Sequence, residues 1–408
     1  MTITLLAILA AGTAIGVTGP ARDVRNLESL WKPQSRRPCN SPSKPAPTGA
    51  TRSHRTCPPL PLPPTTPTST TTRKPGRKAN AIGVASFQFV DQSRFIYPPH
   101  SPTGAPEPRI IETYVWYPAV SAHAGSTESP GVPFAKRDTA GYGPSLVNHL
   151  PRAFGTRELP LVVFSHGYDV WPWEYQPLLD AWVRAGFVVA TPVFPLTNPA
   201  APGGLYENDM VNQPQDVSFV LGRLLSLDAQ PDNILSGLID PDEIGLAGHS
   251  DGGDTTVAAT YDSCCAIGAV KAAAVLSGEE LETGTGSYFT TPGPPLLVVQ
   301  GTFDTINPPS DSQRIYDAAT GTKYDLQLGG AGHYSPYMHR DQFEMVTAEV
   351  TTAFFEAELE GNQSALEKLT SPGALPSFAT LQGLAQPAPP APTTLSTAPA
   401  SVGLSSHP

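Results

Sequence analysis

The sequence predicts an α/β domain built on a mostly parallel sheet with helices on both faces. Three observations predict it. Short, fully apolar segments such as 161–164 have the composition of strands buried on both faces. Segments with apolar residues at helical spacing alternate with them. A Gly-rich pentapeptide with a central serine lies between one such strand and one such helix, where a tight strand-to-helix turn belongs.

The elements follow in chain order. Residues 86–90 and 111–117 read as two early strands, and 161–164 is the first buried one. Residues 174–184 form an amphipathic helix that Gly186 stops. Residues 187–190 are the next buried strand. Val217, Val220, Leu221, Leu224 and Leu225 give 213–227 a helical face. Strands then follow at 244–247, 272–276, 296–300 and 324–328. Phe343, Val346, Val350 and Phe354 mark a long closing helix. Buried strands alternating with helices give a parallel sheet covered on both faces. In such a sheet the ligand site lies beyond the carboxyl ends of the strands.

This body is placed at 81–365, between segments of different composition. Residues 3–17 are apolar and have the length of a signal-peptide core, so 1–20 is a candidate signal peptide and a secreted or cell-envelope location is expected. No basic residue precedes the run, which leaves a start codon placed too early as the alternative. Residues 21–80, rich in Pro, Ser, Thr and Arg, are expected to form a disordered linker, and 366–408, rich in Pro and Ala, a disordered tail. Residues 1–80 hold 12 of the 25 Lys and Arg, while the rest of the chain carries 13 basic and 34 acidic side chains. Such an acidic body excludes a nucleic-acid groove, because phosphate neutralisation needs clustered cations. Of the cysteines Cys39, Cys57, Cys264 and Cys265, none has the spacing of a zinc site. Cys264 and Cys265 are adjacent; pairing with another cysteine, bonding to each other and remaining free thiols are all open.

The residues with chemistry sit at predicted strand ends. Gly248-His249-Ser250-Asp251-Gly252 follows the strand 244–247 and precedes a helix beginning near Gly252. This is the setting of a nucleophile elbow, with Ser250 held in a strained conformation. A serine hydroxyl needs a base, and the base needs an orienting acid. Asp304 follows the strand 296–300, and His333 follows 324–328 in a small-residue loop. The order Ser, acid, His is the one this kind of elbow requires. Glu279 and Glu280, after 272–276, are the reserve acids. Donors for an oxyanion are the backbone N–H of Asp251 and that of Tyr168, in the loop Ser165-His166-Gly167-Tyr168. His166 precedes the elbow in the chain, so its expected role is to bond loop backbone. Trp171 and Trp173 either wall the cleft or anchor the helix that follows.

Several of these segments resemble a known superfamily. They are Pro160-Leu-Val-Val-Phe-Ser-His-Gly167, Ala185-Gly-Phe-Val-Val-Ala190, Gly-His-Ser-Asp-Gly-Gly at 248–253, Gln-Gly-Thr-Phe-Asp at 300–304 and Gly-Ala-Gly-His at 330–333. Together they are similar to the α/β-hydrolases that include bacterial polyester hydrolases and cutinases, platelet-activating-factor acetylhydrolases, chlorophyllases and dienelactone hydrolases. The chain resembles more closely secreted actinobacterial α/β-hydrolases of unassigned substrate. Those share Asn-Gln-Pro-x-Asp-Val, here 212–217, and a cysteine pair after the elbow helix, here Cys264 and Cys265. The resemblance covers about 82–358. It implies the α/β-hydrolase fold, a triad of Ser250, Asp304 and His333, and Tyr168 as oxyanion donor. The polyester hydrolases usually have Met after the nucleophile; Asp251 here weighs against a hydrophobic polyester and, by charge repulsion, against anionic substrates. The expected activity is hydrolysis of a small-molecule or polymeric carboxylic ester, with an amidase, a peptidase or a non-catalytic binding protein as rivals. Neither a metal nor an organic cofactor is required. A monomer is expected, with transient membrane contact at most.

Overall fold

The computed structural model describes residues 81–120, 152–153, 158–281 and 286–384. The signal-peptide and linker segments, Cys39 and Cys57, and residues 385–408 lie outside the described residues.

The described residues contain a nine-stranded sheet. Its strands are β1 (Ala81–Ile96), β2 (Glu107–Ala119), β3 (Leu159–Ser165), β4 (Val188–Val193), β5 (Ile239–His249), β6 (Val270–Leu276), β7 (Leu296–Gly301), β8 (Lys323–Leu328) and β9 (Ala379–Leu384), in the spatial order 1-2-4-3-5-6-7-8-9. Strands 4, 3, 5, 6, 7 and 8 run parallel, while β1, β2 and β9 are antiparallel additions at the two edges. Parallel neighbours need crossover connections, and described helices supply all of them except that between β6 and β7. These are α1 (Gln176–Ala185) after β3, α2 (Gln213–Asp228) after β4, α3 (Asp251–Tyr261) after β5 and α4 (Pro309–Ala318) after β7; the short α5 (Ser335–Met338) follows β8. The chain leaves β3 for β4 on one side and returns to β5 on the other. The loops after β3 and β5 therefore meet at the point where strand order reverses, the usual ligand crevice of an open α/β sheet.

Period-two alternation explains both buried faces. Val162 and Phe164 of β3 point to one side with Val189, Ala247, Ala274 and Val299. That side is covered by Leu178, Leu179 and Trp182 of α1 and by Phe354 and Phe355 of α6 (Gln342–Glu360). Leu161 and Val163 point to the other side, against Val217, Val220, Leu221 and Leu224 of α2. On that same face Val257 of α3 and Ile315 of α4 cover Ala273, Val275, Leu296 and Val298. Trp182 is fully buried and donates its indole N–H to Thr351 Oγ1 at 2.8 Å, tying α1 to α6. The N-terminus of α6 is capped by Asp341, whose carboxylate accepts from the N–H groups of Phe343 and Glu344.

Two expectations change at the edges. The early strands are longer than hydrophobicity marks, because β1 and β2 continue past a register shift between Asp91 and Phe95. The segment from 366 onward, expected to lack structure, instead carries α7 (Gln363–Leu369) and then β9, which pairs from Leu328↔Ala379 to Lys323↔Leu384. Without β9, β8 would present a row of unpaired backbone groups. Pairing supplies what this weakly apolar segment could not supply by itself. Phe378 packs its ring edge on Phe343, and Gln382 donates to Asp325 Oδ2 at 3.0 Å. Cys264 and Cys265 are bonded to each other in the turn after α3, which selects one of the three open options. No described helix is long and apolar enough to cross a membrane.

Candidate active site

The parallel strands deliver β3, β5, β7 and β8 to one edge, and each ends in a loop that the sequence singles out. Ser250 lies between β5 and α3 with φ +56° and ψ −126°. A side-chain-bearing residue in that region costs on the order of 1–3 kcal/mol. The strain is held by Ser250 N–H donating to Leu276 O at 3.0 Å and by Ser250 O accepting from Asp254 N–H at 3.0 Å. The flanking glycines are required by close approach. A Cβ at Gly248 would overlap the Gly252 carbonyl, and one at Gly252 would overlap the Ser165 carbonyl at the end of β3. The elbow thus presses directly on the neighbouring strand end.

Asp304 and His333 are brought together. His333 Nδ1 lies 2.8 Å from Asp304 Oδ2. The other carboxylate oxygen accepts from the N–H groups of Ile306 at 2.9 Å and Asn307 at 3.0 Å. Burial pushes the Asp304 carboxyl up, but the hydrogen bond and charge of His333 and the Ile306 N–H outweigh it, and the net shift is downward. A carboxylate can only accept, so Nδ1 of His333 carries the proton that faces Asp304 and Nε2 is the ring nitrogen left for another partner. The two loops are also joined through backbone, since Phe303 N–H donates to Ala331 O at 2.9 Å. Ser250, Asp304 and His333 are 8%, 4% and 6% exposed, so all three are shielded yet retain some access to solvent. Of the reserve acids, Glu279 donates its backbone N–H to Asp254 Oδ1 at 2.7 Å, and the carboxylate that meets His333 is that of Asp304.

The loop after β3 closes the other side. A Cβ at Gly167 would stand 3.3 Å from Ser250 Cβ and 3.3 Å from the His249 carbonyl oxygen. Glycine therefore allows this backbone to reach the elbow. His166 is fully buried, and its pKa is pushed down to about 4 by desolvation. Its Nδ1 faces Gly167 O at 2.8 Å, and its Nε2 accepts from Phe194 N–H at 3.0 Å. A carbonyl can only accept, so the proton sits on Nδ1 of a neutral ring that bonds loop backbone. Half-buried Tyr168 follows, then Asp169 with φ +56° and its N–H on Thr197 O at 2.9 Å. Burial pushes the Tyr168 phenol up, and the carboxylates of Glu207, Asp251 and Asp169 add to that. Asp251 is buried at the first position of α3.

Trp171 and Trp173 stack on each other, 4.6 Å between ring centroids, and Trp173 meets Tyr114 edge-on. Both are partly buried and pack against the core beside the 3₁₀ turn Pro172–Tyr175 that leads into α1. The helix starts at Gln176 rather than 174, because Pro177 favours a first-turn position. Sequence reasoning missed Gln213. It is fully buried, donates to Thr197 Oγ1 at 3.0 Å and accepts from Thr255 Oγ1 at 2.6 Å, so it ties the elbow helix to the segment that holds Asp169. Its signal was the Asn-Gln-Pro-Gln-Asp-Val segment, visible without any assignable role. It missed Tyr175 as well, whose partner His249 lies 74 positions away in the chain.

No family model matches the chain, and no curated protein matches its sequence. Solved structures do match. One is a ferulic acid esterase from Streptomyces cinnamoneus, at 20% sequence identity and a TM-score of 0.50, over 71% of this chain and 93% of that one. The likeness is one of fold, and the fold is that of the α/β-hydrolases.

Proposed function

We propose that the chain is a serine hydrolase that cleaves carboxylic esters at Ser250. The observation that carries this is the His333–Asp304 hydrogen bond at the ends of β8 and β7, on the sheet edge where the β5 turn strains Ser250. His333 Nε2 takes the Ser250 proton as Oγ adds to the ester carbonyl carbon. The oxyanion is held by the N–H groups of Asp251 and Tyr168. The neighbouring N–H of Gly167 donates to Tyr175 Oη at 3.1 Å, so the donor role in this loop falls to Tyr168. His333 then protonates the departing alkoxide, which leaves as the alcohol. Water gives its proton to His333 and attacks the acyl enzyme; collapse returns the proton to Ser250 and releases the acid. Asp304 stays ionised throughout, consistent with the downward shift of its carboxyl.

The carboxylates around Tyr168 support a preference for neutral over anionic substrates. Short acyl chains are expected to be turned over faster than long ones. A panel of p-nitrophenyl acetate, butyrate and palmitate with the anionic mono-p-nitrophenyl succinate, methyl ferulate and an acyl anilide tests both points. The ferulate is included because a fold neighbour is a ferulic acid esterase. Highest kcat/KM on the short esters is expected. Cleavage of the anilide without any ester would make the protein an amidase, and palmitate preference would overturn the short-chain expectation.

A further inference from the structure

Resting on ester hydrolysis at Ser250, we propose that Tyr175 and His249 are positioning residues that lock the oxyanion loop and the base loop together through one buried hydrogen-bond chain. Three bonds form it. Gly167 N–H donates to Tyr175 Oη at 3.1 Å, Tyr175 Oη lies 2.8 Å from His249 Nδ1, and His249 Nε2 lies 2.9 Å from the backbone oxygen of His333. Only one direction satisfies all three. The His333 carbonyl can only accept, so His249 carries its proton on Nε2. The His249 ring is fully buried, and desolvation with the nearby His333 keeps its pKa well below the usual value, so the ring is neutral. Its Nδ1 is then a lone pair, and Tyr175 must donate to it. Tyr175 Oη in turn accepts from Gly167, leaving no donor facing a donor.

The chain joins three segments that meet nowhere else in sequence: the loop after β3, the residue before Ser250, and the loop carrying His333. Its members leave little freedom. The His249 ring lies 4.6 Å from that of His333 and 4.5 Å from that of Tyr337, and Tyr175 is fully buried. Tyr337 is itself fixed by donating to Val299 O at 2.9 Å. A shift of either loop has to move the other through groups that cannot turn to water. Such coupling matters because a misplacement of about 1 Å at a reacting group can cost on the order of 100-fold in rate.

Rates per fluorophosphonate-titrated site test this in the full-length protein with p-nitrophenyl butyrate. Tyr175→Phe leaves Gly167 N–H and His249 Nδ1 unpaired; His249→Leu breaks the same chain one bond further on. Each is expected to lower kcat by about 10- to 100-fold with KM within about threefold. The double variant should be no slower than the slower single one, because both cut one chain. His249→Gln is expected to recover most of the loss, since an amide offers one acceptor and one donor at similar separation. Two results would overturn the proposal: Tyr175→Phe retaining kcat within about twofold of wild type, or losses in the double variant that multiply. For variants that fail to fold, ¹⁵N-histidine spectra of the wild type give a second test. They should show His249 neutral with its proton on Nε2, and an Nδ1–H form would contradict the chain. A wild type that neither hydrolyses the ester nor takes up fluorophosphonate would sink ester hydrolysis itself, whereas an active wild type with an indifferent Tyr175→Phe sinks the positioning role alone.

Discussion

Two clusters of buried polar side chains lie in this sheet, and they differ in where their charge resides. At the β1–β2 edge, Arg109 is nearly enclosed and bonds Asp216 through Nε at 2.7 Å and Asp209 through Nη1 at 2.9 Å. Arg94 adds bonds to Asp216 and Asp91. Burial disfavours the Arg109 charge, but Asp216 and Asp209 more than restore it. Opposite charges there satisfy one another, and the cluster staples α2 to the edge strands. Beyond β5 and β8, by contrast, Gly167, Tyr175, His249 and the His333 backbone form a neutral chain, and the Asp304 carboxylate faces the His333 ring rather than an Arg or Lys. Buried polarity by itself therefore does not mark a candidate site. Ser250 held at φ +56° at the end of β5, on the sheet edge that also carries the His333–Asp304 pair, is what separates the second cluster from the first.

On the proposed mechanism Ser250→Ala lowers kcat by about 10⁶ while leaving the fold intact, checked by ester turnover and circular dichroism. Asp304→Asn keeps the shape but favours the wrong imidazole tautomer, and kcat should fall by about 10⁴. If it stays near wild type and Glu279→Gln is inactive, the acid has been misplaced. Arg109→Leu should do the reverse. Removing one partner strands buried carboxylates and costs about 3–5 kcal/mol of stability in denaturant titrations, with kcat per titrated site near wild type. A loss of kcat without a loss of stability would make the edge cluster part of the site.

A smaller effect tests a carboxyl in neither arrangement. Burial pushes Glu344 of α6 up to about 7 from 4.5, despite the charge of Arg340. The folded state then holds this proton more tightly than the unfolded chain, so the stability it contributes is full below about pH 4.5 and is lost as pH rises toward 7. Glu344→Gln removes that slope. Thermal unfolding should find the variant about 1–3 kcal/mol more stable than wild type at pH 8 and no more stable at pH 4. An equal difference at both pH values would show that the carboxyl is not raised.

Most of the parallel core was legible because its strands are buried on both faces and read as continuous apolar runs, as at 161–164 and 296–300. The positions of Ser250, Asp304 and His333 at strand ends were legible for the same reason, since a strand that can be found locates the loop after it. What lacked a local signal was missed. β9 reads as Ala-Thr-Leu-Gln-Gly-Leu and becomes a strand through the free edge of β8. Arg109 bonds residues 100 and 107 positions away, and the bond from Tyr175 to His249 spans 74. His249 stood in plain view inside the elbow motif, yet nothing in the sequence could say that its two nitrogens face Tyr175 and His333.

On the proposed mechanism Ser250 becomes covalently acylated. The most direct measurement treats the full-length protein with a fluorophosphonate and maps the adduct by peptide mass spectrometry. A single adduct on the peptide carrying Ser250, formed in step with loss of esterase activity and absent from Ser250→Ala, is the expected result. An adduct on another serine, such as Ser165 or Ser277, or ester turnover that survives complete labelling of Ser250, would contradict it.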